Sequence, residues 1–210
     1  GYHLQRKGRP FVILDGNERI GDSWRTRWDS LRLYSPAARD GLPGMAFPAP
    51  RAAYPTKDEM GDYLEAYAAR FELPVRTGTP VEGLEKENGS YVATTGAESY
   101  RADNVVVATG VFQKPYTPDF ADRLDPSIRQ LHSNDYRNLS QLQDGSVLVV
   151  GASHSGSDIA YEASASHEVI LSGKDNGQLP VPIESRRGRL GFRMLVFAGS
   201  GVAIGVAIFA

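Results

Sequence analysis

The part of the chain that most restricts the fold lies between Val147 and Leu171, where two apolar runs flank a helical pattern. Val147–Val150 has the composition of a buried strand, and His167–Leu171 has that of a second strand. Between them, a glycine-containing turn leads into a helix that continues through Ala163. A strand, a helix and a strand within about 25 residues are typical of a compact nucleotide-binding unit with a parallel sheet. The segment therefore predicts an α/β fold.

The turn after Val150 has residue types that suit the diphosphate of a dinucleotide. Gly151 allows a sharp exit from the strand, while the small residues Ser153 and Gly156 let the backbone approach a phosphate and let the helix pack on the sheet. The helix N-terminus offers free amides and a partial positive charge, and Ser155 adds a hydroxyl donor. Ser153 replaces the second glycine of a Gly-x-Gly-x-x-Gly sequence, so the strand and helix context carries much of the argument.

The residues after the second strand decide which nucleotide is expected. A carboxylate at this place binds the ribose 2′-hydroxyl of NAD, whereas a cation accommodates the 2′-phosphate of NADP. Ser172 and Lys174 supply a hydroxyl and an ammonium group about 20 residues after the glycine turn, and they favour NADPH. Asp175 lies beside them, and a solvated turn is the alternative interpretation of Lys174.

The N-terminal part of the chain predicts a second unit of the same kind. Residues 1–8 have the pattern of a helix end, and Phe11–Asp15 is an apolar run that ends in a carboxylate. At this position Asp15 would bind an adenosine ribose, and an ordinary acidic turn residue is the alternative. We therefore expect two Rossmann-like units with parallel sheets. The missing initiator methionine and the uncharged C-terminal residues indicate truncation at both ends.

A long aperiodic stretch, residues 16–55, follows the first predicted strand. It contains both tryptophans of the chain, Trp24 and Trp28, together with several prolines. Its aromatic content argues against disorder and favours a cover over a flat ligand. Packing in the core is an equal alternative for Trp28.

The middle of the chain predicts one strong helix and a small antiparallel β-meander. Thr56 and Glu59 fit a capping box at the start of an amphipathic helix that Pro74 ends. The Asn88-Gly89 pair is a hairpin turn signal between two short strand-like runs. Residues 104–108 predict a further strand, fully buried, that leads into the next motif.

Charge and composition exclude several classes of function. The net charge of -2 at pH 7 leaves no large cationic surface for nucleic acid. The chain has no cysteine, which excludes a disulfide framework, a cysteine-based zinc site and a dithiol redox centre within it, and which fits a cytoplasmic protein. The uncharged stretch Met194–Ala210 is the only hint of a membrane segment, and we favour a buried segment or an aberrant fragment end there.

Several short motifs, taken in order along the chain, resemble those of the flavin-containing monooxygenases and their plant and bacterial relatives, including indole-pyruvate monooxygenases. The resemblance covers essentially residues 1–195. Gly21-Asp22-Ser23-Trp24 resembles the Gly-Gly-x-Trp segment of this family, and Val107–Gly110 resembles its Ala-Thr-Gly motif. The further matches are Leu31–Leu33, Phe47–Leu64, the pair His132 and Tyr136, and the turn Gly151–Gly156.

The resemblance implies an FAD-dependent, NADPH-using monooxygenase that inserts one oxygen atom of O2 into a small organic substrate through a flavin hydroperoxide. It implies a partial FAD-binding domain at residues 1–143 and a partial NADPH-binding domain at residues 144–210, divided at a change in composition. The residues implied for FAD are Asp15, Gly21, Asp22, Ser23, Trp24, Arg32, Thr109 and Gly110. Those expected to bind NADPH are Gly151, Ser153, Ser155, Gly156, Ser172 and Lys174.

The chain departs from the family pattern at positions that bear on the chemistry. Pro126 and Ile128 occupy the leading Phe and Gly positions of the family fingerprint, so only His132 and Tyr136 match it. The sequence has no match for the asparagine of the animal-type enzymes or for the arginine of Baeyer-Villiger enzymes. The type of oxygenation therefore stays open, no catalytic acid or base is assigned, and a structural role is preferred for His132 over that of a general base.

Two other functions are compatible with the sequence. One is a relative of the pyridine nucleotide-disulfide reductases, which the lack of cysteine disfavours. The other is a noncatalytic NADPH-binding module, because the glycine loop expected before the strand at Phe11–Asp15 would lie before residue 1. Bound flavin would separate a flavoenzyme from such a module.

Overall fold

The computed structural model divides the chain into two compact units, Gly1–Gln143 and a second that begins at Asp144. The described residues are 1–96, 98–110 and 114–174. The division coincides with the change in composition at Asp144. Asp175 and the uncharged stretch Met194–Ala210 lie outside the described residues. Within the described ranges, no helix has both the length and the apolar character needed to cross a membrane.

The first unit combines short helices with one parallel and one antiparallel sheet. Its described α-helices are α1 (Tyr2–Arg6), α2 (Asp22–Arg25), α3 (Ala37–Asp40) and α4 (Lys57–Arg70). Its described strands are β1 (Ile13–Leu14), β2 (Val75–Arg76), β3 (Gly83–Glu87), β4 (Ser90–Thr94) and β5 (Ser99–Ala102). Strands β1 and β2 pair in parallel, while β3, β4 and β5 form an antiparallel meander in that order. Single turns of 3-10 helix lie at Ala121–Arg123 and Leu139–Gln141.

The second unit consists of one strand-helix-strand segment among the described residues. Its elements are β6 (Val147–Val150), α5 (His154–Ala163) and β7 (Val169–Ser172). Strands β6 and β7 pair in parallel. The chain therefore has an α/β fold that contains parallel and antiparallel sheets, as the sequence predicts.

Strand β1 is shorter than the predicted run Phe11–Asp15. Only Ile13–Leu14 pairs with β2, and Leu14 is 3% exposed. The Asp15 amide donates a further hydrogen bond to the Arg76 carbonyl (2.9 Å). The strand is buried as predicted at Leu14, but its length is limited because its described partner has only two residues.

Helix α4 begins where the capping box predicts. The Thr56 hydroxyl accepts a hydrogen bond from the Glu59 amide (3.2 Å), and the Glu59 carboxylate accepts one from the Thr56 amide (2.7 Å). These bonds satisfy amides that the first turn of a helix cannot pair internally. The helix ends at Arg70, before Pro74, and Glu72 already has a left-handed backbone with φ of 49°.

Two buried tyrosines of α4 hold the backbone of the loop at residues 42–45. The Tyr63 hydroxyl accepts a hydrogen bond from the Leu42 amide (2.6 Å) and donates one to the Met45 carbonyl (2.8 Å). The Tyr67 hydroxyl donates to the Pro43 carbonyl (2.7 Å). Burial raises the pKa of Tyr67 to about 12, so this hydroxyl keeps its proton at neutral pH. The stretch that lacks periodicity in the sequence is therefore packed in the structure.

The predicted hairpin between β3 and β4 is confirmed. Asn88 and Gly89 both have a left-handed backbone, with φ of 50° and 89°. A two-residue type I′ turn requires positive φ at both central positions. The strands on either side pair from Glu87 opposite Ser90 to Gly83 opposite Thr94.

The prediction of a buried strand at residues 104–108 is wrong. The described residues form no strand there, and Val106 and Val107 are 45% and 66% exposed. An apolar run becomes a strand only when a neighbouring strand pairs with its backbone. No described strand pairs with these residues, so their apolar composition is not sufficient to form one.

Helix α2 lies against α4 at two glycines. Gly21, the N-cap of α2, has φ of 90°, and a Cβ there would stand 2.5 Å from the Gly61 carbonyl oxygen. A Cβ at Gly61 would stand 2.9 Å from Cγ of Arg25. The Arg25 guanidinium also contacts the carboxylates of Asp62 (2.8 Å) and Glu65 (3.2 Å) on α4. The salt bridges of Arg25 therefore link α2 to α4 where the two helices come close together, and this close approach requires glycine at positions 21 and 61.

Replacing Gly21 with alanine is expected to lower the free energy of unfolding of the first unit by about 2–4 kcal/mol, because backbone strain and overpacking add. Both tryptophans lie in this unit, so urea unfolding followed by tryptophan fluorescence measures its stability selectively.

Gly89→Ala is the matched control for Gly21→Ala. Gly89 has nearly the same φ, but a Cβ there would have no neighbour within 4 Å. Gly89→Ala is expected to lower the free energy of unfolding of the first unit by only about 1 kcal/mol. Equal losses in the two variants would show that the contact between α2 and α4 contributes nothing.

Candidate functional site

The strand-helix-strand segment of the second unit forms the parallel sheet that the sequence predicts. Val147 pairs with Val169 and Val150 pairs with Ser172, and α5 ends at Ala163 as expected. The predicted burial of β6 is wrong, because none of its residues is buried and on one face Leu148 and Val150 are 60% and 54% exposed. Each strand has only one paired neighbour among the described residues, and no described element covers this face.

The turn between β6 and α5 is open at its start and tightly packed at its end. Gly151 is exposed, has φ of 112°, and donates its amide to the Ser172 carbonyl (2.7 Å). A Cβ at Gly151 would have no neighbour within 4 Å, whereas one at Gly156 would collide with the Gly151 carbonyl oxygen. Glycine at 156 therefore lets the first turn of α5 touch the end of β6.

The first turn of α5 has no side-chain cap. Ser153 is the N-cap residue, with an extended backbone, but its hydroxyl accepts no hydrogen bond from the helix. The first amides of a helix have no internal partner, and they give its N-terminus a partial positive charge. Ser153 and His154 are exposed, and Ser155 is half-buried. This arrangement suits an anionic group such as a phosphate.

The end of β7 lies beside the same turn. The Ser172 carbonyl accepts from the Gly151 amide, and a Cβ at Gly173 would stand 2.5 Å from the Ala152 amide nitrogen. Ser172 and Lys174 are both exposed. The structure thus brings Ser172 next to the glycine turn, and Lys174 follows at the end of the described residues.

Asp15 lies at the carboxyl end of β1, where the sequence predicts it. Its Oδ1 accepts hydrogen bonds from the amide (3.0 Å) and the side-chain amide (2.8 Å) of Asn17. This geometry belongs to an acidic turn residue, and it fixes the orientation of the carboxylate at the end of a parallel strand. The other carboxylate oxygen accepts no hydrogen bond from the described residues.

Asp22 is engaged by donors of the protein itself. Its carboxylate accepts from the Arg19 amide (3.1 Å) and from the Arg25 guanidinium (3.2 Å), so it holds the turn that leads into α2. Ser23, the next residue, is exposed, and Trp24 is half-buried. All three side chains keep some exposed surface, but the Asp22 carboxylate is already engaged by Arg19 and Arg25.

The remaining predicted FAD residues lie outside α2. The backbone of Arg32 forms an isolated antiparallel β-bridge with that of Thr56, and the Arg32 guanidinium donates a hydrogen bond to the Tyr54 carbonyl (3.0 Å). The hydrogen bonds of Arg32 thus run to the start of α4 and not to α2. Thr109 and Gly110 are exposed, and Gly110 has φ of 73°.

A pair of arginines around Asn134 was not predicted from the sequence. Arg27 donates to the Asn134 side-chain oxygen (3.1 Å), and Arg137 donates to its carbonyl (2.6 Å). Burial and the charge of Arg137 lower the pKa of Arg27. The Nδ1 atom of His132 accepts a hydrogen bond from the Asn134 backbone amide (3.1 Å). This bond fits the structural role that is preferred for His132 over that of a general base. No local pattern could reveal this cluster, because Arg27 and Asn134 are 107 positions apart.

Trp28 is 4% exposed, which fits the alternative of core packing rather than direct contact with a ligand. The structure therefore separates the two tryptophans that the sequence groups together. Trp24 keeps part of its surface in solvent, whereas Trp28 lies in the interior of the first unit.

Comparison with known proteins gives consistent similarities. Residues 1–180 match the family model described as pyridine nucleotide-disulphide oxidoreductase. A CzcO-like oxidoreductase of Geobacillus kaustophilus is 51% identical over 82% of this chain and 49% of its own length. Indole-3-pyruvate monooxygenase YUCCA1 of Oryza sativa subsp. japonica is 32% identical over 76% of this chain and 40% of its own length.

A solved structure supports the same relationship at the level of the fold. The flavin-containing monooxygenase from Stenotrophomonas maltophilia superimposes with a TM-score of 0.81 at 27% identity, over 98% of this chain and 64% of that chain. The chain spans about half the length of the curated relatives it matches.

Replacing Gly156 with alanine is expected to destabilise the second unit by about 1–3 kcal/mol, because the new methyl group collides with the end of β6. Helix propensity alone predicts the opposite sign, a gain of about 1 kcal/mol. Hydrogen exchange of the β6 and α5 amides, followed by mass spectrometry, measures the change.

Tyr161→Phe serves as the control for Gly156→Ala, because Tyr161 lies on the same helix and is 84% exposed. Its amides should exchange as in the unaltered chain. Slower exchange in Gly156→Ala would contradict the packing described for this turn.

Proposed function

Because the chain belongs to the pyridine nucleotide-disulphide oxidoreductase family, we propose that it acts in a flavin-dependent monooxygenase that uses NADPH. The proposed reaction transfers one oxygen atom of O2 to a small organic substrate. The observation that carries the proposal is the open turn after β6, where an uncapped helix N-terminus meets the end of a parallel strand. The related plant and bacterial monooxygenases support the reaction class.

The glycine turn is proposed to bind the NADPH diphosphate. The amides in the first turn of α5 donate to phosphate oxygens, and the hydroxyl of Ser155 adds a donor. The Gly151 amide stays bonded to the Ser172 carbonyl, so Gly151 contributes by its exposed backbone, which has no side chain to keep the phosphate away. Ser153 stays exposed at the N-cap and leaves room for the phosphate. The packing of Gly156 keeps these amides close to the end of β6. The exposed positions and the donor chemistry therefore fit an anionic dinucleotide.

Ser172 and Lys174 are proposed to select NADPH over NADH. Their exposed hydroxyl and ammonium groups can contact a ribose 2′-phosphate, whereas the 2′-hydroxyl of NADH gives the ammonium no charged partner. The ion pair forms near solvent, so we expect a moderate preference rather than an absolute one.

The first unit is proposed to contribute to an FAD site. Asp15 would bind the adenosine ribose through the carboxylate oxygen that Asn17 leaves available. Ser23 and Trp24 would face the flavin from α2, with Arg32, Thr109 and Gly110 at further points of contact. Gly21 and Asp22 would shape the turn and would not contact FAD themselves. Gly61 packs directly against Gly21, and the Arg25 guanidinium binds the Asp22 carboxylate.

When bound, FAD supplies the electron transfer and oxygen chemistry, and the role of the protein is to bind, orient and exclude water. Asp22 and Arg25 fix the turn before α2, while the tyrosines of α4 fix the loop at residues 42–45. No described residue is assigned as a general acid or base. The proposal makes the first unit a partial FAD-binding domain and the second a partial NADPH-binding domain, each Rossmann-like, in a cytoplasmic enzyme.

Lys174→Ala is expected to weaken NADPH binding by about two- to fivefold and to leave NADH binding unchanged, because only NADPH carries the 2′-phosphate and the ion pair is exposed to solvent. Titration of the chain with each nucleotide, followed by nicotinamide fluorescence, measures both affinities. Lys7→Ala is the control, since Lys7 is an exposed lysine of the first unit. Equal affinities of the unaltered chain for NADPH and NADH would overturn the assignment of Ser172 and Lys174.

Flavin binding tests the monooxygenase proposal directly. The chain, incubated with FAD and separated from excess by gel filtration, is expected to retain the visible absorbance of oxidised flavin. Asp15→Ala should reduce the retained flavin, whereas Asp103→Ala, an exposed change outside the proposed site, should not. A chain that binds NADPH but retains no flavin would support a nucleotide-binding module instead. A reductase that uses a dithiol would need cysteines from outside this chain, which has none.

A further inference from the structure

A cavity of about 330 Å³ opens beside α3 in the first unit. Its volume falls within the range of roughly 300–1,000 Å³ that is usual for small-molecule sites. None of its residues is among those proposed for FAD or NADPH. The residues that line it all lie between Ala37 and Arg51.

The walls of this cavity are fixed by buried groups. Leu42 and Met45 are held through their backbones by the Tyr63 hydroxyl, at 2.6 and 2.8 Å. Phe47 is 7% exposed and packs on Tyr63 with ring centroids 4.8 Å apart. The Ala38 amide donates to the Arg51 carbonyl (3.2 Å) and ties the two sides together. A ligand would therefore meet a formed site and would not have to order a loop.

Small side chains leave the cavity open. Six of its ten lining residues are glycine or alanine, so the space between the backbone segments stays unfilled. The larger apolar groups are Leu42, Met45 and Phe47. Leu42 and Met45 give one part of the wall an apolar character that can contact a hydrocarbon or aromatic body, whereas Phe47 is nearly buried and supports the wall from behind.

Arg51 is the one charged residue that lines this cavity. It is exposed, and within the described residues its guanidinium forms no hydrogen bond or ion pair. The acidic residue of α3, Asp40, does not line the cavity, and its carboxylate is bonded by the Ser35 hydroxyl. Burial raises the pKa of Asp40, which favours its neutral form. The local charge therefore favours an anionic ligand.

We propose that this cavity binds a small organic carboxylate. The carboxylate pairs with the Arg51 guanidinium, whose planar donors match two carboxylate oxygens. The apolar body of the ligand contacts Leu42 and Met45. The proposal rests on this cavity alone and does not depend on the flavin or nicotinamide sites.

The test uses 3-phenylpropionate and its uncharged analogue 3-phenylpropan-1-ol as probes, with affinities for the full chain measured by ligand-observed NMR. The unaltered chain is expected to bind the carboxylate more tightly than the alcohol. Arg51→Ala should weaken carboxylate binding by about fivefold, the upper end for a solvent-exposed ion pair, and should leave the alcohol unaffected. Arg39→Ala is the matched control, because Arg39 is exposed on α3 but does not line the cavity.

Ala38→Leu locates the binding by filling the cavity. Ala38 is exposed, so the larger side chain should not disturb the core, and unchanged tryptophan fluorescence confirms the fold. Both probes should bind this variant more weakly. The proposal is overturned if Arg51→Ala and Arg39→Ala behave alike, if Ala38→Leu leaves both affinities unchanged, or if the unaltered chain binds neither probe.

Discussion

The approach of α5 to the end of β6 is the contact on which the proposed chemistry of the second unit depends. Gly156 has no side chain to separate the helix from the Gly151 carbonyl, so backbone lies directly against backbone. The first turn of the helix, which no side chain caps, therefore stands at the carboxyl end of a parallel strand. A larger residue would move the helix away and would separate the amides from the residues that follow β7.

Glycine has a related effect in the first unit, where α2 meets α4. Gly21 and Gly61 bring the two backbones together, and Arg25 lies across Gly61 to reach acidic groups of α4. Exposed salt bridges contribute little by themselves. Their value here is positional, because they and Asp22 hold a four-residue helix that is too short to be stable alone.

The first unit also shows how buried hydroxyl groups can organise an irregular loop. Tyr63 and Tyr67 bond directly to the backbone at residues 42–45, where no regular secondary structure would satisfy those groups. The same bonds fix one wall of the cavity that contains Arg51. A rigid loop with small side chains can thus leave a defined space, whereas larger side chains would fill it.

The sequence by itself determined the features that depend on neighbouring residues. The capping box at Thr56, the turn at Asn88-Gly89 and the strand-helix-strand pattern after residue 144 are local, because hydrogen bonds and dihedral preferences over a few residues specify them. The glycine turn between β6 and α5 was predictable for the same reason. Only the tertiary structure decided which apolar run became a strand, since residues 104–108 have the composition but no described partner. It also decided which side chains bond at long range, because Arg27 and Asn134 lie 107 positions apart in the sequence and meet only in the folded chain.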